Sequence, residues 1–389
     1  MATTASRGGG LRREIFEDEH DAFRESVRGF LLREAVPHTE EWEQAGLVDR
    51  SFWRKAAAQG YVAFAAPESL GGAGIDDFRF SAIINEEVAY TGTVYDNFSL
   101  TNDIVLPYLL ELTTEEQRSR WLPGVTSGER IVAIAMTEPG AGSDLRGITS
   151  TATWREDHWE LSGSKTFVTN GILADLVIVA ARVRGRDTEG LGLFVVESEM
   201  PGFQRGRKLV KVGRRAQDTA ELFFESVTVP PENLIGEEGK GLQHLMRNLA
   251  TERMSIATTA AANAERALEI TLEHVRSRNA FGQPVGSFQA NRFSLAELAS
   301  EISIVRVYVD RCIKAILQGE LTGAEAAKAK LWSTELEFRA VDLGMQLHGG
   351  YGYMEEYEIA RRWRDARVER IYGGTSEIMK EIIGRSLGL

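Results

Sequence analysis

The feature that most constrains the fold is a double change of hydrophobic period along the chain. From about Glu14, apolar residues recur at helical spacing: Phe23, Val27 and Phe30 with Leu31 mark one face, and Trp53, Ala57 and Tyr61 repeat it. This texture runs to about Gly128. Between Ile131 and Ile235 it gives way to short alternating or wholly apolar runs, including "IVAIAM", "ATWREDHWEL", "DLVIVAARV", "GLFVVE" and "ELFFESVTV", separated by Gly, Asn and Pro. After Gly241 the helical period returns and is read as continuous to the "HGGYGYM" turn, His348 to Met354, with further helix beyond it. Helices, then strands, then helices imply an α+β chain with segregated elements rather than alternating βαβ units. The expected parts are a helical domain over 1–130, a β domain over 131–235 and a second helical domain over 236–389. With 389 residues, 43% of them hydrophobic, the chain can fill two or three cores.

Charge and cysteine usage narrow the function. A net charge of -12 excludes general attraction to nucleic acid or to an anionic membrane, since the surplus of Lys and Arg that neutralises phosphate is missing. The basic run "ARRWRDAR", Ala360 to Arg367, reads as a solvated helix face. A single cysteine, Cys312, leaves no intramolecular disulfide and no multi-cysteine metal site, which fits a reducing, cytoplasmic setting. No apolar run approaches the roughly 20 residues that span a bilayer. The start, "MATTASRGGGLRRE", lacks a secretory apolar core and reads as a frayed tail.

Four stretches have the residue types for chemistry. "AMTEPGAGSD", Ala135 to Asp144, leaves an apolar strand and turns through Pro139, Gly140 and Gly142, where backbone N–H groups and the Thr137 and Ser143 hydroxyls can grip a polar ring or a phosphate. It matches neither the phosphate-loop nor the dinucleotide fingerprint. In "GSKTFVTNG", Gly163 to Gly171, Phe167 and Thr169 fall on one side of a strand and suit a flat heterocycle. Near the C-terminus, "IYGGTSEIMKE" sets Gly373 and Gly374 before Thr375 and Ser376, either of which can cap the helix that follows. In "GLQHLMRNLATERMSIATTAAANAERA", Leu242, Leu245, Met246 and Leu249 define a face whose next members are Glu252 or Arg253, then Ile256. A glutamate at a core position either pairs with a cation from another helix or has a raised pKa that suits a general base. His348 has no second histidine at ligand spacing and reads as a turn residue, and no metal site is expected.

Together with "KVGRRAQDTAELFFESVTVP", "SRNAFGQPV" and "QLHGGYGYM", these motifs resemble the acyl-CoA dehydrogenases, a flavoenzyme family, from about residue 15 to the C-terminus, and several are most similar to the long-chain branch. The resemblance implies an N-terminal helical domain, a middle β-barrel or sandwich domain and a C-terminal four-helix bundle, usually assembled as a homotetramer. It implies FAD contacts at Met136, Thr137, Ser143, Phe167, Val168 and Thr169, and at Thr375 and Glu377. Arg278, Phe281 and Gln289, with Gln346, Leu347, His348, Gly349 and Gly350, would hold the pyrophosphate and adenosine half of an FAD bound mainly by a neighbouring subunit. Ser143, Gln243, Arg253, Gly373 and Gly374 correspond to substrate positions.

Two departures stand out. Many relatives carry Trp where this chain has Phe167, so ring packing is kept and an indole donor is lost. Most carry the catalytic glutamate at the position of Gly373. Long-chain and isovaleryl-type relatives instead place the base at the position of Glu252. The implied activity is α,β-dehydrogenation of a fatty acyl-CoA, with electrons passed to an electron-transferring flavoprotein. The alternatives are an acyl-CoA oxidase or acyl-carrier-protein dehydrogenase on the same scaffold, or a flavin-free binding or assembly subunit.

Overall fold

The computed structural model describes residues 13–93, 97–186 and 188–389. The expected N-terminal tail falls mostly on residues 1–12, outside the described set. The first helical part comprises α1 (Asp18–Glu34), α2 (Thr39–Ala45), α3 (Arg50–Ala58), α4 (Phe78–Thr91), α5 (Asn97–Ser99), α6 (Leu106–Glu111) and α7 (Glu115–Thr126). Between α5 and α6 the chain runs as a π-helical segment, Leu100–Val105. Val27, Phe30 and Leu31 are buried along α1 as their spacing predicts. Tyr61 is buried too, yet it lies beyond the end of α3, because the chain turns at Gln59 and at Gly60, which has φ 75°. Its ring packs edge-on against Phe23 and Phe30.

The middle part is one sheet of eight strands, β1 (Val132–Ala135), β2 (Thr151–Trp154), β3 (Trp159–Thr169), β4 (Leu176–Arg184), β5 (Leu191–Glu197), β6 (Phe203–Lys208), β7 (Thr219–Val229) and β8 (Leu234–Ile235). Their order is β6-β7-β3-β2-β4-β5-β8, with β1 added in parallel to β4. The unbroken apolar run of β4 is explained by its two buried faces. Leu176, Ile178 and Ala180 join the core shared with the first helices, whereas Val177, Val179 and Ala181 face Trp159, Phe194 and Phe224 in a core of the sheet's own.

The last part holds three long helices, α8 (Gly241–Ser277), α9 (Gln289–Leu317) and α10 (Gly323–His348), followed by α11 (Glu358–Ala366) and α12 (Ser376–Ser386), which pack on α10. The helical stretch after Gly241 is therefore interrupted twice. Residues 278–288 turn through a small hairpin, β9 (Asn279–Ala280) and β10 (Gln283–Pro284), at Phe281 and Gly282, both with positive φ. Gly319, with φ 67°, breaks the chain again before Thr322 caps α10. The helical period alone did not show these breaks, because the flanking segments keep it on both sides.

α4 joins the two helical parts. Ile84 and Val88 pack into the first core, and Phe78 and Ala82 enter the core of α8, α9 and α10. At the same junction the buried Glu86 carboxylate lies 2.9 Å from Arg306 on α9, 2.7 Å from Arg24 on α1 and 2.6 Å from Arg13. Burial favours its neutral form, but these three guanidinium groups hold its pKa at about 2. A carboxyl group whose folded pKa is depressed in this way contributes stability above its unfolded value of 4.5, and loses it as pH falls through about 2. Glu86→Ala should lower unfolding free energy at neutral pH by roughly 3 kcal/mol. Parent and variant stabilities should converge as pH drops from about 4.5 toward 2, measured by denaturant titration across pH.

Candidate active site

α8 runs past the inner face of the first helical part and carries the acidic residue singled out in the sequence. The buried face of its first turns differs from the one expected. Leu245, Asn248, Glu252 and Arg253 are buried, while Met246 is 56% exposed and so lies off that face. From Met254 to Ala264 every residue is buried, so periodicity carries no facing information there. Glu252 has no cation from another helix within ion-pair distance among the described residues; the neighbouring Arg253 is its cationic influence. Its Oε1 accepts a hydrogen bond of 3.1 Å from the Tyr108 hydroxyl on α6. Burial pushes its pKa up to about 7, against the opposing effects of Tyr108 and Arg253.

The glycine turn before α12 lies against the same stretch of α8. Arg253 Nε is 3.5 Å from the Gly373 carbonyl, and the buried Lys330 on α10 donates to the Gly374 carbonyl at 2.5 Å. Burial lowers the Lys330 pKa to about 8, with Arg253 acting in the same direction and Glu369 opposing. Gly373 has φ 62°, and a Cβ built there would fall 2.4 Å from the terminal methyl of Ile256. Ile256 thus fills the space that a longer side chain at 373 would enter. Thr375 serves as the N-cap, its hydroxyl accepting from the Ile378 N–H, with Glu377 exposed in the first turn. Gln243 is exposed near the start of α8, about 14 Å of helix rise from Glu252.

The residues assigned to the flavin ring lie on the sheet. β3 is bulged between Lys165 and Val168. Phe167 there has φ 58° and is 68% exposed, with Val168 buried and Thr169 half-buried on the outward side. The pleat therefore puts Phe167 and Thr169 on one side, while the bulge sets the angle of the ring. Beside them the turn after β1 is clamped from within. Glu138 accepts from the Thr149 and Ser150 N–H groups at 2.7 and 2.9 Å and from Lys165 Nζ at 2.8 Å. Lys165 also donates to the Met136 carbonyl, and the Thr166 N–H to that of Thr137. Burial opposes ionisation of Glu138, but these donors hold its pKa at about 2. Met136 and Thr137 are half-buried and Ser143 is exposed. Sequence reasoning missed Glu138 and Lys165. Both sit inside quoted motifs, but a buried ion pair between a turn and a strand leaves no periodic trace.

A third group lies at the far end of α8. His274, Arg278, Gln346, Leu347, His348, Gly349, Gly350 and Tyr351 line a cavity of about 410 Å³. Arg278 has no carboxylate partner among the described residues and lies 5.6 Å from the centre of the Tyr351 ring. Among the described residues, no atom beyond the chain neighbours lies within 4 Å of where a Cβ would stand on Gly349 or Gly350. Phe281 is 96% exposed, and Gln289 is exposed at the start of α9. His348 is the buried last residue of α10, bonded to the Gly344 carbonyl, and His274 from α8 stacks on it at 4.0 Å. Arg278 is ~39 Å of helix rise from Glu252, so the two residues belong to separate groups along α8. An outward aromatic ring on a bulged strand and an open glycine-lined cavity with an unpaired guanidinium fit a flat heterocycle and a phosphate-bearing tail, respectively.

Comparison with known proteins agrees with this geometry. Residues 17–129, 133–227 and 239–388 match the N-terminal, middle and C-terminal domains of acyl-CoA dehydrogenase. A long-chain specific acyl-CoA dehydrogenase of mitochondria from Sus scrofa is 48% identical over 97% of this chain and 88% of its own. An acyl-CoA dehydrogenase structure from Geobacillus kaustophilus superposes with a TM-score of 0.94 at 48% identity, covering 97% of this chain and all of the other. An acyl-CoA dehydrogenase from Bacillus anthracis complexed with FAD superposes with a TM-score of 0.88 at 29% identity, covering 97% of this chain and 68% of the other.

The raised pKa of Glu252 has a measurable cost. Between its unfolded value of 4.5 and its folded value of about 7 the native state binds the extra proton, so stability falls as pH rises through that window. Glu252→Gln removes this decline. The variant should be more stable than the parent by roughly 1–3 kcal/mol above pH 7, with the difference fading below about pH 4.5. Thermal or denaturant melts over that range check the sign.

Proposed function

The chain belongs to the acyl-CoA dehydrogenase family, and from that membership we propose that it oxidises a long-chain fatty acyl-CoA to the trans-2-enoyl-CoA with Glu252 as the general base. The observation that carries this reading is a buried carboxyl with a pKa near 7, on the stretch of α8 that the Gly373–Gly374 turn packs against. The similarity to long-chain specific relatives supports the chain-length class. FAD, when bound, accepts the hydride that leaves the β-carbon.

The chain's own residues do the rest. Phe167, Val168 and Thr169, with Met136 and Thr137, would form the surface for the flavin ring, with Thr375 and Glu377 at the start of α12 also in contact with FAD. Arg278, Phe281 and Gln289, with residues 346–350, would hold the phosphate and adenosine of FAD in a neighbouring subunit. Ser143, Gln243, Arg253 and Gly374 would line the thioester and its carrier. Removing the α-proton places negative charge on the thioester oxygen, which the Gly373 N–H is assigned to meet. A donor fixed in advance costs no reorganisation when that charge forms. Glu252 must be ionised to act, so the rate should rise with pH through its pKa. The exposed apolar side chains of Phe281, Ile304, Val307 and Trp332 support self-assembly, which we assign as a homotetramer. An electron-transferring flavoprotein is assigned as the electron acceptor. Among the described residues no helix is long and apolar enough to cross a membrane.

Anaerobic rapid mixing tests the reading. A long-chain acyl-CoA should bleach the flavin band of the parent, and Glu252→Gln should slow that bleaching by roughly 10²–10⁴-fold while substrate still binds. Parental speed in the variant would show that another group takes the proton.

Moving the base back to the glycine turn should be limited by space. In the Glu252→Gln background, Gly373→Glu meets both a left-handed backbone and the Ile256 methyl. The double variant should recover only part of the rate, and Ile256→Ala added to it should recover more. Flavin-reduction rates of the two proteins decide whether Ile256 is the obstacle.

A further inference from the structure

We infer that Tyr108 is a positioning residue for the reaction, its hydroxyl holding one oxygen of the Glu252 carboxylate so that the other faces the substrate. The inference rests on the assignment of Glu252 as the base. Tyr108 is fully buried, Glu252 nearly so, and the 3.1 Å bond between them is the sole side-chain hydrogen bond to that carboxylate among the described residues. Oε1 is thereby occupied as an acceptor, and Oε2 is left without a donor among the described residues. The proton leaving the α-carbon goes to Oε2, and the Tyr108 proton stays on the phenol. Burial and the adjacent carboxylate raise the Tyr108 pKa far above its usual value, so it remains a donor throughout.

The backbone around Tyr108 explains how it reaches α8. Asp103, five residues earlier, accepts from Ser255 Oγ at 2.7 Å, so Asp103 and Tyr108 both bond to α8, at positions three residues apart. In a regular α-helix, residues five apart point about 140° away from each other. The Leu100–Val105 segment is π-helical, with bonds that close five residues on, and this brings the two side chains toward one partner. Pro107, which has no N–H, stands where the π-segment passes into α6. A second bond fixes the segment's other end, with Asn97 Nδ2 3.4 Å from Asn170 Oδ1 just after β3. The tyrosine that orients the base is thus held between the sheet and α8.

The charged groups around Glu252 define what a change at Tyr108 does. Arg253 adjoins it on α8, Glu111 lies near Tyr108 on α6, and Asp103 meets the next turn of α8. Lys330 on α10 faces Arg253 across the glycine turn. Of these, Tyr108 donates directly to the carboxylate and stabilises its ionised form. Tyr108→Phe keeps the ring in the core and deletes that donor.

Flavin reduction of the holoenzyme is measured by rapid mixing from about pH 5.5 to 9.5, with the saturated acyl-CoA that the parent turns over fastest. In Tyr108→Phe the acid limb should move up by roughly one pH unit, and the plateau rate should fall several-fold because the carboxylate is no longer held. Replacing Tyr108 with a fluorinated tyrosine, a stronger donor of nearly the same shape, should move the limb the opposite way. This second replacement decides the matter if Tyr108→Phe does not fold. Opposite displacements support the positioning role, since loss of packing alone would not reverse sign. A limb that stays in place in the fluorotyrosine protein, or in a folded Tyr108→Phe, overturns it. Glu252→Gln run in parallel separates the two assignments. If it reduces flavin at the parental rate, the base is misassigned; if it is slow while the limb does not move, only the role of Tyr108 fails.

Discussion

The site depends on keeping one carboxyl group out of water without neutralising it by an ion pair. An isolated buried carboxylate is costly, and proteins usually resolve that cost by pairing it or protonating it. Glu86 shows the first solution, with three guanidinium groups and a pKa of about 2. Glu252 has a single neutral donor and one adjacent arginine that also faces the glycine turn, and its pKa is near 7. Both glutamates are buried, and only the second environment leaves a group that can gain and lose a proton near neutrality.

That environment is assembled from both helical parts of the chain, so the elements around it have to be held firmly. Polar clamps buried between elements do this. Lys165 and Glu138 bind the turn after β1 to β3. Arg214, in the loop before β7, pairs with Glu369 just ahead of the glycine turn, and its N–H donates to Asp365 on α11 at 2.6 Å. Breaking one partner of such a pair strands a buried charge, which makes the arrangement stiff even where it adds little net stability. The proton transfer proposed for Glu252 would depend on such stiffness, because small misplacements of reacting groups are costly.

The sequence disclosed those features that repeat or that carry a residue type with few alternative uses. Helical and strand periods marked the three parts, because one-sided burial writes itself into spacing. Glu252 was visible as a carboxylate on an apolar face, and the glycine turn as two adjacent residues free of Cβ. What stayed hidden had no local signature. Met246 fits the apolar face of α8 and is exposed, since the helix rotates its buried stripe through Asn248. Tyr108 sits in "VLPYLL", which reads as plain core, and its role depends on a π-turn that no period announces. His274 joins His348 only because α8 and α10 lie side by side.

Gly373 and Ile256 show why the site holds one acid and not two. A second carboxylate at 373 would lie against the same stretch of α8 as Glu252, and two like charges brought close raise one another's pKa. The titration would then belong to the pair, and neither group would be reliably ionised at neutral pH. With glycine at 373 and the Ile256 methyl in the space a side chain would need, that coupling is absent. Ile256 stands four residues beyond Glu252 on α8, so the helix that carries the proposed base also fills the space beside Gly373. The burial of Glu252 and the filling of the space beside Gly373 are therefore two consequences of a single helix face.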